Sequence, residues 1–140
     1  MQFTLYADGG ARGNPGPAGA GAVAFDSTGK RVAEVADYLG ETTNNVAEYE
    51  AIIRGLKALT AAFPDGYFKS ATVEIRMDSK LVIEQLRGAY KVKHPNLIPR
   101  YLEVRNILAR SFPSVSYLHV PREKNTDADE LANRAMDRGV

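Results

Sequence analysis

The side chains here whose types and spacing could do chemistry are carboxylates. Asp8 follows an alternating stretch from Phe3 to Ala7, and Asp78 follows another from Thr72 to Met77, so each stands where a strand should end. In open α/β sheets ligands bind beyond the carboxyl ends of strands. If these two strands are parallel neighbours, the carboxylates meet, and their repulsion raises a pKa unless a cation lies between them. A hard divalent ion suits such a place, because Mg²⁺ takes a few carboxylates, waters and substrate phosphate oxygens. Glu48 and Asp129 fall in the first turns of two expected helices, where the helix dipole favours an acid. A simpler role exists for each residue. The two Asp residues could cap the elements that follow them, and Asn45-Val46-Ala47-Glu48 and Thr126-Asp127-Ala128-Asp129 both fit capping boxes. Spacing alone does not bring four element ends together.

The elements that must position these acids follow from periodicity. Residues 2–8, 19–25 and 31–38 alternate or are largely apolar, with Asp26-Ser27-Thr28-Gly29 as a hairpin turn, which predicts an antiparallel meander. The run Gly9 to Pro17 carries glycines and two prolines and reads as a tight, ordered loop. From Tyr49 to Phe63 apolar residues recur at helical spacing until Pro64-Asp65-Gly66. A fourth strand over 72–77 precedes a short helix that Ser79 is placed to cap. A basic connection from Tyr90 to Asn96 leads into a helix carrying Leu97, Tyr101, Val104, Ile107 and Leu108. Residues 115–120 read as a fifth strand, and Thr126 opens the last helix. The expectation is one mixed α/β domain over residues 1–140, with three antiparallel strands followed by two parallel ones.

Composition bounds the partners. The 140 residues include 18 Lys and Arg against 17 Asp and Glu, with 44% hydrophobic and 25% charged residues, a composition that supports one ordinary core. The absence of cysteine excludes a thiolate nucleophile and any Cys-ligated metal, and fits a reducing cytoplasm. No apolar run is long enough to span a bilayer, and the first residues lack the pattern of a signal peptide. The near-neutral balance hides an uneven distribution. Residues 80–110 hold seven basic side chains against Glu84 and Glu103, which is either a polyanion-binding face or a solvated helical surface.

Four blocks, in order, give the acids a common context: Tyr6-Ala7-Asp8-Gly9-Gly10-Ala11-Arg12-Gly13-Asn14-Pro15-Gly16-Pro17, Thr43-Asn44-Asn45-Val46-Ala47-Glu48-Tyr49, Met77-Asp78-Ser79-Lys80, and Asn125-Thr126-Asp127-Ala128-Asp129-Glu130-Leu131-Ala132-Asn133. Together they resemble type 1 ribonuclease H. The resemblance implies a ribonuclease H-like fold, a five-stranded mixed sheet flanked by helices. It implies an endonuclease that hydrolyses the RNA strand of an RNA/DNA hybrid with two Mg²⁺ or Mn²⁺ ions and leaves 3′-hydroxyl and 5′-phosphate ends. The metal-binding carboxylates carried over by position are Asp8, Glu48, Asp78 and Asp129, the last because it follows Asn125 by four residues. Asn14, Asn44 and Asn45 match positions that contact the minor groove, where RNA displays its 2′-hydroxyls. Thr43 matches a DNA-phosphate contact, Lys80 stands where many members have Gln, and Gly9, Gly10 and Ser79 complete the expected substrate-binding set.

Two departures from the family pattern stand out. The loop after strand five reads Val120-Pro121-Arg122-Glu123 in place of the His-bearing stretch that many members use for product release, as in the archaeal and actinobacterial subgroup. Arg122 lies seven residues before Asp129 and is the candidate substitute, with His119 read as a structural residue inside strand five and Glu123 ranked last. The other departure is the short basic stretch with Lys91 and Lys93, beside Tyr90, in place of a long basic helix, expected to add salt-dependent grip. The rival readings are an exonuclease or resolvase on the same fold, or a binding module without metal. A cytoplasmic monomer, with RNA/RNA duplexes as an additional substrate, completes the expectation.

Overall fold

The computed structural model describes all 140 residues. Its strands are β1 (Gln2–Ala11), β2 (Gly16–Phe25), β3 (Arg31–Thr42), β4 (Thr72–Met77) and β5 (Ser114–His119); its helices are α1 (Asn44–Ala61), α2 (Lys80–Arg87), α3 (Ile98–Ser111) and α4 (Thr126–Arg138). One five-stranded sheet has the order β3-β2-β1-β4-β5, with β1, β2 and β3 antiparallel and β4 and β5 parallel to β1. This is the mixed sheet that the sequence reading expects, three antiparallel strands followed by two parallel ones.

The first hairpin departs from the sequence reading. Gly9, Gly10 and Ala11 do not belong to a loop but continue β1, paired with Ala20, Gly19 and Ala18, and β2 already begins at Gly16. Only Arg12 to Pro15 form the turn, with a cis Asn14–Pro15 bond. Ladder pairing with a neighbouring strand outweighs the low strand propensity of glycine, so Asp8 lies inside its strand and not at its end.

Two buried layers hold the sheet. Phe3, Leu5 and Ala7 face α1 and join a core of 27 buried residues that includes Ile52, Leu56 and Leu59 of α1, Leu86 of α2 and Val104 and Ile107 of α3. On the opposite face α4 lays Ala128, Leu131, Ala132 and Ala135 against β2 and its neighbours. β2 is a run of Gly and Ala because it is covered on both sides. A Cβ on Gly21 would run into the Ala128 carbonyl of α4, while the Ala22 methyl lies under Gly55 of α1. The small residues of β2 therefore set how closely the acid-bearing helices approach.

Candidate active site

Register brings the first two acids level. Tyr6 pairs with Arg76 in the parallel β1–β4 ladder, so Asp8 and Asp78 follow two residues later on adjacent chains. Helix α1 supplies Glu48 from the other side. Gly9 makes that possible: a Cβ there would collide with the Ala47 backbone, so glycine lets the first turns of α1 lie directly on β1. Asn125 sets the position of Asp129. Its side chain is buried and donates from Nδ2 to the Ala7 carbonyl at 3.0 Å, while its own carbonyl accepts from the Asp129 amide at 3.1 Å. The start of α4 is thereby tied to the residue before Asp8.

Neither capping box forms. Thr43 is the N-cap of α1 and accepts from the Val46 amide at 3.3 Å, which leaves Glu48 in the second turn with nothing to cap. Asn125 precedes α4, and its side chain is spent on Ala7 instead of on the helix. Ser79 does cap α2, accepting from the Val82 amide at 3.3 Å.

Asp8, Glu48, Asp78 and Asp129 line one cleft of about 780 Å³, with Gly9, Gly10, Asn44 and Arg122 at its walls. Asp8 is only 9% exposed. Burial, then the charge of Asp78, then contacts with Asp129 and Glu48 push its pKa up to about 9. Burial also pushes Glu48 up to about 7, with Asp78 adding to the rise and the Ser79 hydroxyl opposing it, and Glu48 Oε2 is buried without a hydrogen-bond partner. No three His, Asp or Glu side chains are arranged to enclose an ion by themselves. The donors fit an ion that keeps other oxygen ligands. They are all hard carboxylate oxygens, crowded at a cost in charge repulsion, one of them buried and unpartnered, beside a cleft with room for water and a phosphate.

The flanking loop is joined to α1 through asparagine oxygens. Asn44 Oδ1 accepts from the Ala11 amide at 2.8 Å, and Asn14 Oδ1 accepts from the Asn44 amide at 3.1 Å. Both Nδ2 groups remain available as donors, and Asn45 follows on the same turn. Thr43, Asn14 and Asn45 do not line the cleft itself but adjoin Asn44, in sequence or through its amide, and Lys80 is exposed at the start of α2.

The release-loop candidates separate. Arg122 is 84% exposed, with Nε 3.7 Å from Asp78 Oδ2. His119 is the last residue of β5, paired with Met77, and its Nε2 lies 3.2 Å from the Asp78 carbonyl, as a structural role requires, yet it is also exposed and lines the cleft. His119 shares the face of Val115 and Tyr117 by alternation, but it stands at the open end of β5, next to the buried Val120, and so reaches the cleft. Glu123 does not line the cleft.

The basic tract is not one face. Arg87 pairs with Glu84, Arg100 with Glu50, and Arg105 packs over Tyr101 and donates to the Leu86 carbonyl. Lys91 and Lys93 line a separate groove of about 410 Å³ with Tyr90, Val92, Ile98 and Leu102. Sequence reasoning missed Arg12 and Asn133 as cleft residues. Both lie within the motif blocks, and Asn133 stands one helical turn beyond Asp129, a signal that i,i+4 spacing could have given.

A family model described as "Reverse transcriptase-like" matches residues 6–135. The Ribonuclease HI of Halobacterium salinarum is 43% identical over 132 residues, covering 94% of this chain and 63% of its own length. The N-terminal RNase H domain of rv2228c from Mycobacterium tuberculosis superposes with a TM-score of 0.89 at 43% identity, covering 98% of this chain and 100% of the other. LC11-RNase H1, solved in complex with RNA/DNA hybrid, superposes with a TM-score of 0.87 at 47% identity, covering 97% of both chains. The chain spans 36% of the length of the Mycobacterium proteins it matches.

Proposed function

The chain belongs to the type 1 ribonuclease H family, and on that premise we propose that it cuts the RNA strand of RNA/DNA hybrids internally, leaving 3′-hydroxyl and 5′-phosphate ends. The observation that carries this is the meeting of Asp8, Glu48, Asp78 and Asp129, from two strands and two helices, in one cleft beside the asparagine loop. These four carboxylates would hold two Mg²⁺ or Mn²⁺ ions, whose chemistry is to lower the pKa of an attacking water and to stabilise the leaving oxygen. The protein's own residues do the rest. The Nδ2 groups of Asn14 and Asn44, with Asn45, offer donors to base edges and 2′-hydroxyls without a fixed sequence. Thr43 and Lys80 take backbone phosphates, Gly9 and Gly10 present backbone at the cleft wall, and Ser79, whose hydroxyl caps α2, stands next to Asp78 to meet the substrate. Arg122 and His119 flank Asp78 and assist product departure; only His119 of the two can pass a proton. Lys91 and Lys93 add charge beyond the cleft. The cysteine-free chain acts as a monomer in the cytoplasm and also accepts RNA/RNA duplexes.

The test is cleavage of an end-labelled hybrid with Mg²⁺ or Mn²⁺, run beside single-stranded RNA, duplex DNA and duplex RNA. Internal cuts in hybrid RNA, abolished by chelator and by Asp78→Asn, are expected. A folded wild-type protein that leaves the hybrid intact with either ion refutes the reading and favours the exonuclease or binding-module alternatives.

A further inference from the structure

The cleft carries two arginines, on opposite sides of the acids: Arg122 next to Asp78, and Arg12 in the β1–β2 turn. We propose that Arg12 binds a phosphate of the RNA strand next to the one being cut, and that Asp137 holds it in readiness when no substrate is bound. The inference rests on the hybrid-cleavage reading above.

The backbone of Arg12 is set by the turn, its amide donating to the Pro17 carbonyl at 2.8 Å. Its side chain reaches to α4, where Nη2 lies 2.6 Å from Asp137 Oδ1 and 3.5 Å from the Asn133 carbonyl. Both side chains of this ion pair are open to solvent, 48% and 67% exposed, so the pair contributes little net stability and exchanges easily. A phosphodiester offers the guanidinium paired oxygens in the geometry it prefers. The carboxylates act on the RNA strand, so the strand passing Arg12 in the same cleft is the RNA. Once its scissile phosphate lies over the acids, a neighbouring phosphate falls on the Arg12 side. Asp137 stands outside the acid cluster and competes with that phosphate for the same cation.

The experiment is steady-state hybrid cleavage across a salt series for wild type, Arg12→Ala, Arg12→Lys and Asp137→Asn, each checked for folding by thermal melting. Arg12→Ala is expected to raise KM about fivefold at low salt with kcat within about twofold, and to reduce the salt slope of log KM by about one. Arg12→Lys should restore the slope and only part of the affinity. Asp137→Asn should lower KM, because the competing carboxylate is gone. An unchanged KM and slope in Arg12→Ala, a loss confined to kcat, or an Asp137→Asn variant that weakens binding as Arg12→Ala does would overturn the inference and make the pair a brace for α4. A wild type that does not cut hybrid refutes the function itself; a wild type that cuts normally beside an indifferent Arg12→Ala refutes only the role of Arg12.

Discussion

Asp8 concentrates the electrostatic cost of the site. Its folded pKa is raised above its ordinary value of 3.8, so the stability it contributes is fully present below that value and is lost as pH rises toward about 9. Glu48 follows the same sign between 4.5 and about 7. In chelator, Asp8→Asn should therefore melt higher than wild type, by about 5 °C near pH 8, with the gap shrinking to nothing as pH falls toward 4. A gap independent of pH in paired melting curves would contradict this origin. Asn125 acts by position. Asn125→Ala leaves the buried Ala7 carbonyl without its donor and should cost about 1–3 kcal/mol. It should also lower kcat at temperatures where the variant is fully folded, because Asp129 is no longer tied to β1; unchanged kcat with a normal melting temperature would remove Asn125 from that role.

Among the elements, β1 and α1 depend on a contact that admits no side chain. Gly9→Ala drives a methyl into the Ala47 backbone. The expected destabilisation is about 3 kcal/mol, with activity falling further than stability because Glu48 moves with the helix; denaturant unfolding and single-turnover rates measure the two separately. Thr43→Ala is the milder companion, losing the cap bond to Val46 at about 1 kcal/mol. The Gly and Ala run of β2 belongs to the same argument, since it allows α1 and α4 to close on one sheet from opposite sides.

Across the whole molecule, the even charge balance conceals a division of labour. Arginines at 87, 100 and 105 are tied into the fold by carboxylates, carbonyls and a tyrosine ring. Lys91 and Lys93 have no ion pair and line the groove next to Tyr90. Replacing both by alanine should raise KM, reduce the salt slope by about two and leave kcat unchanged; an unaltered KM at physiological salt would assign the groove no part in substrate grip.

The mixed sheet and the parallel crossover were legible in the sequence, because alternation and helical spacing are local signals, while the four acids were singled out by the motif blocks that resemble ribonuclease H. The reach of β1 to Ala11 was not, since glycines carry no strand signal until a neighbouring ladder supplies one. The place of His119 at the cleft and the ties of Arg100 to Glu50 and of Arg105 to the Leu86 carbonyl were hidden for a similar reason: reach at a strand end and pairing across helices depend on which elements lie side by side. Residue type and spacing determined what the site is made of. Only the tertiary structure decided that acids from four separate elements share one cleft, because that rests on close packing at Gly9 and Gly21 and on the Asn125 bond, contacts between residues far apart in the chain.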